Sequence, residues 1–185
     1  AQEGAKVCLV DVDQRKLETT KNALRKGREE ILTMTGDIKK IAEVKGAINH
    51  VPKSFARVEI LGNNAGAIQR GTIETVTEED WDRVIAINLK GTFNCCKAVV
   101  EPMKRQRGGN IVNVSSISGK MGDITSAPGY GPSKAGVIAL TKTLAMQLAR
   151  YGIRANSVAP HAIETEMSAQ WSEARRREII AAIPL

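Results

Sequence analysis

The chain has 185 residues, with 27 Lys and Arg against 20 Asp and Glu, giving a formal charge of +7. Apolar residues at 42% and charged residues at 25% exclude intrinsic disorder, and no run reaches the roughly 18 apolar residues of a membrane span. The basic clusters Lys104-Arg105-Arg107 and Arg175-Arg176-Arg177 lack interleaved aromatics, so the charge reads as solvated surface, suited to an acidic protein partner or a phosphate-bearing substrate rather than nucleic acid.

Taken in order, Lys6–Val10 is a short apolar run that predicts a buried strand ending at Asp11, and residues 14–26 predict an exposed helix. Glu30–Thr35 predicts a second strand before Gly36-Asp37, and residues 39–51 a helix that Pro52 stops. Val58–Leu61 predicts a third strand running into Asn63-Asn64-Ala65-Gly66. Residues 78–104 predict one long helix, with Thr77 as its N-cap and Glu78, Glu79 and Asp80 in the first turn. A strand over 110–114, a helix over 132–150 that admits Pro132 in its first turn, a strand over 154–159 and a last helix over 168–182 complete the pattern. Cys8, Cys95 and Cys96 all lie in apolar runs, without the spacing of a zinc site or a disulfide framework, so no metal is expected. With no signal-peptide layout, the expectation is a cytoplasmic protein with one domain over residues 1–185.

Alternating strands and helices predict a three-layer, doubly wound α/β fold with a parallel sheet. Such sheets bind ligands beyond the carboxyl ends of their strands. Those ends hold Asp11, Asp37-Ile38, Asn63-Asn64-Ala65-Gly66, Ser115-Ser116 and Pro160-His161. Each set also reads as turn residues and helix caps; five on one edge point to a binding cleft. A carboxylate at Asp11 accepts hydrogen bonds from ribose hydroxyls and repels a 2′-phosphate, which favours NAD(H) with NADP(H) second, while the nearby Arg15 softens that repulsion. Tyr130 and Lys134, four apart, share a helix face. An ammonium beside a phenol with a reference pKa of about 10 stabilises the phenolate, so the pair suits proton exchange with an alcohol–ketone couple. The same spacing also occurs in surface pairs without chemistry.

Asn63-Asn64-Ala65-Gly66, Asn88, Ile111–Gly119 (IVNVSSISG), Tyr130-Gly131-Pro132-Ser133-Lys134 and Asn156–Met167 (NSVAPHAIETEM) together resemble the short-chain dehydrogenase/reductase family, over essentially the whole chain. The resemblance implies an NAD(P)-dependent oxidoreductase acting on CH–OH groups. Tyr130 would be the acid/base and Lys134 its electrostatic partner, also holding the nicotinamide ribose. Ser116, rather than Ser115, would hydrogen-bond the substrate oxygen, and Asn88 would hold a water linking Lys134 to solvent. For the cofactor it implies Asp11 on the ribose, Asp37 and Ile38 near the adenine, Asn64, Ala65 and Gly66 beneath it, and Ile163 and Thr165 facing the amide.

Within the family, the chain looks most like 3-oxoacyl-[acyl-carrier-protein] reductases of fatty acid biosynthesis. Arg107 stands where those enzymes carry a carrier-binding arginine, and Tyr151, beside Arg150, stands at their second such place. An acidic acyl carrier protein is therefore the implied partner. Helices 78–104 and 132–150 carry apolar or small residues on more than one face, such as Ala98, Val99, Ala139, Leu140 and Ala145, which predicts a homotetramer built partly from them. Alternatives are an NAD-dependent sugar, polyol or steroid alcohol dehydrogenase, and a non-catalytic nucleotide-binding regulator of the same fold. Relative to the family pattern, the chain begins after the first strand and its Gly-rich turn and stops before a last helix and strand, so it is expected to be incomplete at both ends. His161 replaces the usual Gly after Pro160, a tolerated substitution rather than a second acid/base.

Overall fold

Among the described residues, short Val-, Ile- and Leu-rich runs bounded by Gly, Asn and Asp form five parallel strands, joined by helices. The computed structural model describes residues 4–24, 30–123, 126–161, 163 and 172–181. β1 (Val7–Asp11) leads through α1 (Gln14–Leu24) to β2 (Ile31–Thr35), and α2 (Ile41–Phe55) leads on to β3 (Ile60–Asn63). α3 (Glu78–Ile85), a π-helical stretch (Ala86–Gly91) and α4 (Thr92–Arg105) precede β4 (Gly109–Val114). The short α5 (Ser118–Met121), the long α6 (Tyr130–Leu148), β5 (Ile153–Val158) and α7 (Glu173–Ala181) follow. Asp13 caps α1, its Oδ1 accepting from the Arg15 and Lys16 amides at 2.9 and 3.2 Å. Thr77 caps α3, its Oγ1 accepting from the Asp80 amide at 3.1 Å.

The strands pair in two parallel sets, β1 with β2 and β3–β4–β5, in a register that brings Asn63 opposite Asn113 and Val114 opposite Val158. β1 and β3 share no ladder, so the expected single sheet is interrupted there. The strand that the family pattern places between them is not among the described residues. The main core lies where α2, α4 and α6 cover β3–β5, around Val51, Val99, Met103, Ile111, Leu148 and Ile153. Residues alternate across a strand. Thus Thr33, bonded to Glu18 of α1, and Cys8, packed toward α2, lie on opposite faces of the β1–β2 pair, which α1 and α2 sandwich. Over β3–β5 the face away from that core leaves Ile60 and Val158 exposed.

Three local expectations change. α2 continues past Pro52 to Phe55: the proline removes one backbone donor, and the buried face of Val44, Ala47 and Val51 offsets that loss. The helix expected over 78–104 is interrupted by the π stretch, where a wider turn lets Asn88 point inward and brings Gly91 against Ile38. A Cβ on Gly91 would lie 2.5 Å from Ile38 Cδ1, so this contact needs glycine. Ala98 and Val99 are buried core residues rather than an outer face, at 9% and 0% exposure. The outer faces of α4 and α6 show Phe93, Lys97, Ala139 and Met146 instead. Just past the end of α4 the chain turns at Arg107, a non-glycine residue with φ +54°. There the Gly108 amide donates to Met103 O at 3.1 Å, the geometry of a helix stop usually given to glycine.

Candidate active site

The carboxyl ends of β3, β4 and β5 and the amino end of α6 meet in one region, because parallel strands and their return helices run in opposite directions. α6 begins at Tyr130 after a turn in which the Tyr130 amide donates to Ala127 O at 3.1 Å. Lys134, one turn on, is 5% exposed, and its Nζ donates to Val114 O at 2.9 Å. That Nζ lies 5.8 Å from the centre of the Tyr130 ring. Burial pushes the Lys134 ammonium below its ordinary value of 10.5.

The two serines at the end of β4 separate cleanly. Ser115 is buried and its hydroxyl donates to Lys134 O at 2.8 Å, so it pins α6 to the strand. Ser116 is half-buried, accepts from the Ser118 amide at 3.2 Å and donates to Ser118 Oγ at 3.3 Å. Ser118 in turn donates to Asp123 Oδ2 at 3.1 Å, as does Ser126 at 2.7 Å. Gly119 lets α5 lie against α6: a Cβ there would stand 2.7 Å from the Lys134 and Ala135 backbone. Ser118, Asp123 and Ser126, with Thr72, line an open cleft of about 620 Å³ beside α6.

Asn88 sits in the π stretch and is 1% exposed. Its Oδ1 accepts from the Ala67 amide at 2.7 Å, and its Nδ2 donates to Ala67 O and Ser133 Oγ, each at 2.9 Å. Its backbone carbonyl accepts from Thr92 Oγ1 at 2.7 Å. Ser133 passes the connection on, donating to Tyr130 O at 2.6 Å. Asn88 therefore ties the segment after β3 to the turn that carries Tyr130. Sequence reasoning gave Ser133 no part in this; its fixed distance from Tyr130 is the signal that was there to use.

Asn64, Ala65 and Gly66 are exposed directly after β3. A Cβ on Gly66 would meet Asn88 Oδ1 at 3.3 Å and Lys134 Nζ at 3.5 Å, which places this backbone beside the Lys134 ammonium. Asp11 is exposed at the end of β1, its Oδ1 accepting from the Asp13 amide at 2.9 Å. Asp37 is engaged locally: Oδ1 accepts from the Lys39 amide at 2.9 Å, and Lys39 Nζ stands 3.5 Å from Oδ2. Ile38 packs toward Val44, Cys95 and Ala98, and its carbonyl accepts from Asn94 Nδ2 at 2.8 Å. Ile163 is exposed, as is His161; Thr165 lies outside the described residues. Burial raises the Cys95 and Cys96 thiols to about 11 and about 12, so they act as core rather than as nucleophiles. Among the described residues no group of three or more His, Cys, Asp or Glu could hold a metal, and no helix is long and apolar enough to cross a membrane.

At the opposite ends of α4 and α6, Lys104 Nζ and the Arg150 guanidinium stand 4.6 and 4.8 Å from the centre of the Tyr151 ring. Two cations thus gather on one aromatic ring, and the Arg107 turn lies next to it, since a Cβ on Gly152 would touch Arg107 O at 3.0 Å.

Residues 1–176 match the short chain dehydrogenase family. The chain is 38% identical over 185 residues to the 3-oxoacyl-[acyl-carrier-protein] reductase FabG of Thermotoga maritima, covering all of this chain and 75% of that protein. It is 38% identical over 173 residues to the (2S)-[(R)-hydroxy(phenyl)methyl]succinyl-CoA dehydrogenase subunit BbsD of Thauera aromatica, covering 94% and 68%. Among solved structures, the crystal structure of gox2181 superposes with a TM-score of 0.94 at 32% identity, covering all of this chain and 73% of that one.

Proposed function

The chain belongs to the short-chain dehydrogenase family, NAD(P)-dependent oxidoreductases acting on CH–OH groups, and from that premise we propose that it reduces the ketone of a carrier-bound 3-oxoacyl group. The observation that carries this reading is the convergence on Lys134: its ammonium sits on Val114 O at 2.9 Å, beside the Tyr130 ring, next to the open backbone at Gly66. Gly66 leaves the edge after β3 without a side chain, and Asp11 stands exposed at the end of β1. These residues fit a nicotinamide dinucleotide laid along that edge. When bound, the nicotinamide supplies or accepts the hydride.

The chain's own part is proton transfer and orientation. The Tyr130 hydroxyl gives its proton to the substrate oxygen on reduction and takes it back on oxidation. Ser116 turns its hydroxyl from Ser118 to that oxygen, and Lys134 favours the phenolate and holds the ribose. By the family pattern Ile163 and Thr165 would serve the amide, and Asp37 and Ile38 the adenine. Asn88 fixes the frame and holds a water toward Lys134. Arg107 and the cations around Tyr151 receive an acidic acyl carrier protein. A second reading, a sugar or polyol dehydrogenase, is favoured by the cleft lined with Thr72, Ser118, Ser126 and Asp123, because hydroxyls and a carboxylate suit a polyhydroxylated ligand. Following nicotinamide absorbance with 3-oxoacyl thioesters against a panel of keto sugars decides between them; turnover of neither set would defeat both.

Asp11 makes NAD(H) the proposed preference. Two like charges 4 Å apart at an effective dielectric of about 20 repel by about 4 kcal/mol, and the exposure of Asp11 together with Arg15 cuts this to about 1–2 kcal/mol. The expected kcat/KM ratio of NADH to NADPH is about five to thirty, eroded in Asp11→Ser. Equal use of both cofactors by the unaltered protein would move specificity away from Asp11.

The assembly is proposed to be a homotetramer, with Phe93 and Met146, 44% and 76% exposed, on the faces of α4 and α6 that meet a second copy. Multi-angle light scattering should give four times the chain mass; a monomeric mass rejects it.

A further inference from the structure

Beneath the proposed reacting groups lies a line of buried polar side chains that none of those roles uses. Asn113, in β4, is 0% exposed. Its Oδ1 accepts from Asn63 Nδ2 at 2.8 Å, and its Nδ2 donates to Thr141 Oγ1 at 2.8 Å. Thr141 donates onward to Val137 O at 2.7 Å, and Asn63 Nδ2 also reaches Cys96 Sγ at 3.3 Å. One amide thereby joins three elements at the points that matter. Asn63 ends β3 immediately before Asn64-Ala65-Gly66. Asn113 precedes Val114, whose carbonyl takes the Lys134 ammonium. Thr141 lies on α6 seven residues past Lys134, which is about two turns and roughly 10 Å along the same face.

At its amino end α6 is tied by Ser115 Oγ on Lys134 O and by Asn88 Nδ2 on Ser133 Oγ; farther along, the core contacts of Val99, Met103, Ile111 and Leu148 are apolar and direct nothing. They tolerate a small slide or rotation of α6 over the sheet. A hydrogen bond between two fully buried side chains does not, because breaking it leaves a desolvated donor without a partner. The Lys134 side chain is buried and its ammonium is seated on one carbonyl, so an error in the register of α6 is carried to it.

We propose that Asn113 and Thr141 are positioning residues: their hydrogen bond is a second tie, two turns beyond that of Ser115, and the two together fix the register of α6 that seats Lys134 Nζ on Val114 O beside Gly66. The consequence for turnover rests on the oxidoreductase reading of the site; the consequence for Lys134 does not.

The test uses the full chain with 15N-labelled lysine, its Lys134 ammonium signal assigned through Lys134→Met and titrated by NMR. In the unaltered protein that ammonium is expected to titrate below the ordinary lysine range, because it is buried. Thr141→Val keeps shape but removes the hydroxyl. It is expected to return the titration toward the ordinary value, as the ammonium leaves its buried seat, and to lower kcat about ten- to a hundredfold. Thr141→Ser keeps the hydroxyl and should retain both properties. Thermal unfolding is followed alongside. A Thr141→Val protein that melts earlier yet keeps the Lys134 titration and kcat of the parent overturns the proposal, because the bond would then be only structural. Where Thr141→Val does not fold, Thr141→Cys, with a thiol of similar size and weak hydrogen bonding, takes its place with the same two outcomes. If the unaltered chain turns over no ketone, the functional reading fails, while the Lys134 titration still decides the positioning claim.

Discussion

Tyr130→Phe is expected to lower turnover by about 10²–10⁴-fold while leaving nicotinamide affinity nearly unchanged. The substitution removes one hydroxyl and keeps the ring, so the aromatic face that Lys134 Nζ approaches to 5.8 Å remains. The backbone carbonyl of residue 130 still accepts from Ser133, so the turn opening α6 keeps its tie to Asn88. Binding and chemistry are thus separable at this position. Stopped-flow fluorescence of bound NADH gives the first quantity and single-turnover kinetics the second. Near-parental turnover would remove Tyr130 from the proton step.

Lys134 should behave differently, because its ammonium has two proposed tasks. Lys134→Ala is expected to weaken the cofactor about ten- to a hundredfold, the range of one charge-assisted hydrogen bond, and to lower turnover further. Its effect on stability has the opposite sign. Burial holds the folded-state Lys134 below 10.5, so the folded chain binds this proton less readily than the unfolded chain. Below the folded value both states carry the proton and the fold bears the full penalty. As pH rises from that value toward 10.5, the unfolded state binds more protons than the folded one, and stability climbs. In Lys134→Met this climb should be missing, and the variant should be no less stable than the parent at neutral pH. Chemical denaturation over a pH series reads both. A rise in the Met variant equal to the parent's would assign it to another group.

Much of this was legible in the sequence because it is carried by short runs. Five apolar stretches ending in Asp, Asn, Ser or Pro became five parallel strands, each within one or two residues of its expected span. Tyr130 and Lys134 shared a helix face because four residues make about one turn. What stayed hidden depends on contacts between distant segments. Nothing near Asn88 announces a π stretch; the wider turn follows from its bonds to Ala67 and Ser133, 21 and 45 residues away. The link from Asn113 to Thr141 spans 28 residues, and neither residue looks unusual in its own strand or helix. The choice of Ser116 over Ser115 came from a resemblance. The structure adds that the Ser115 hydroxyl is engaged on Lys134 O, which favours Ser116 for the proposed substrate contact. Ala98 and Val99 misled for the converse reason: a helix that is apolar on several sides gives no sign of which side faces the sheet.

Arg107 has a consequence for anyone wishing to make the chain more heat tolerant. It occupies the left-handed stop of α4 with φ +54°, a conformation that disfavours a side chain by about 1–2 kcal/mol. Judged by backbone energy alone, glycine is the better residue there, and a stability screen would select it early. That same exchange deletes a guanidinium from the turn that packs on Gly152, the neighbour of Tyr151, far from the reacting groups, where no assay on a small soluble ketone would register its loss. Thermostabilising selection on such a substrate would therefore drift away from the proposed carrier recognition while scoring every step as an improvement.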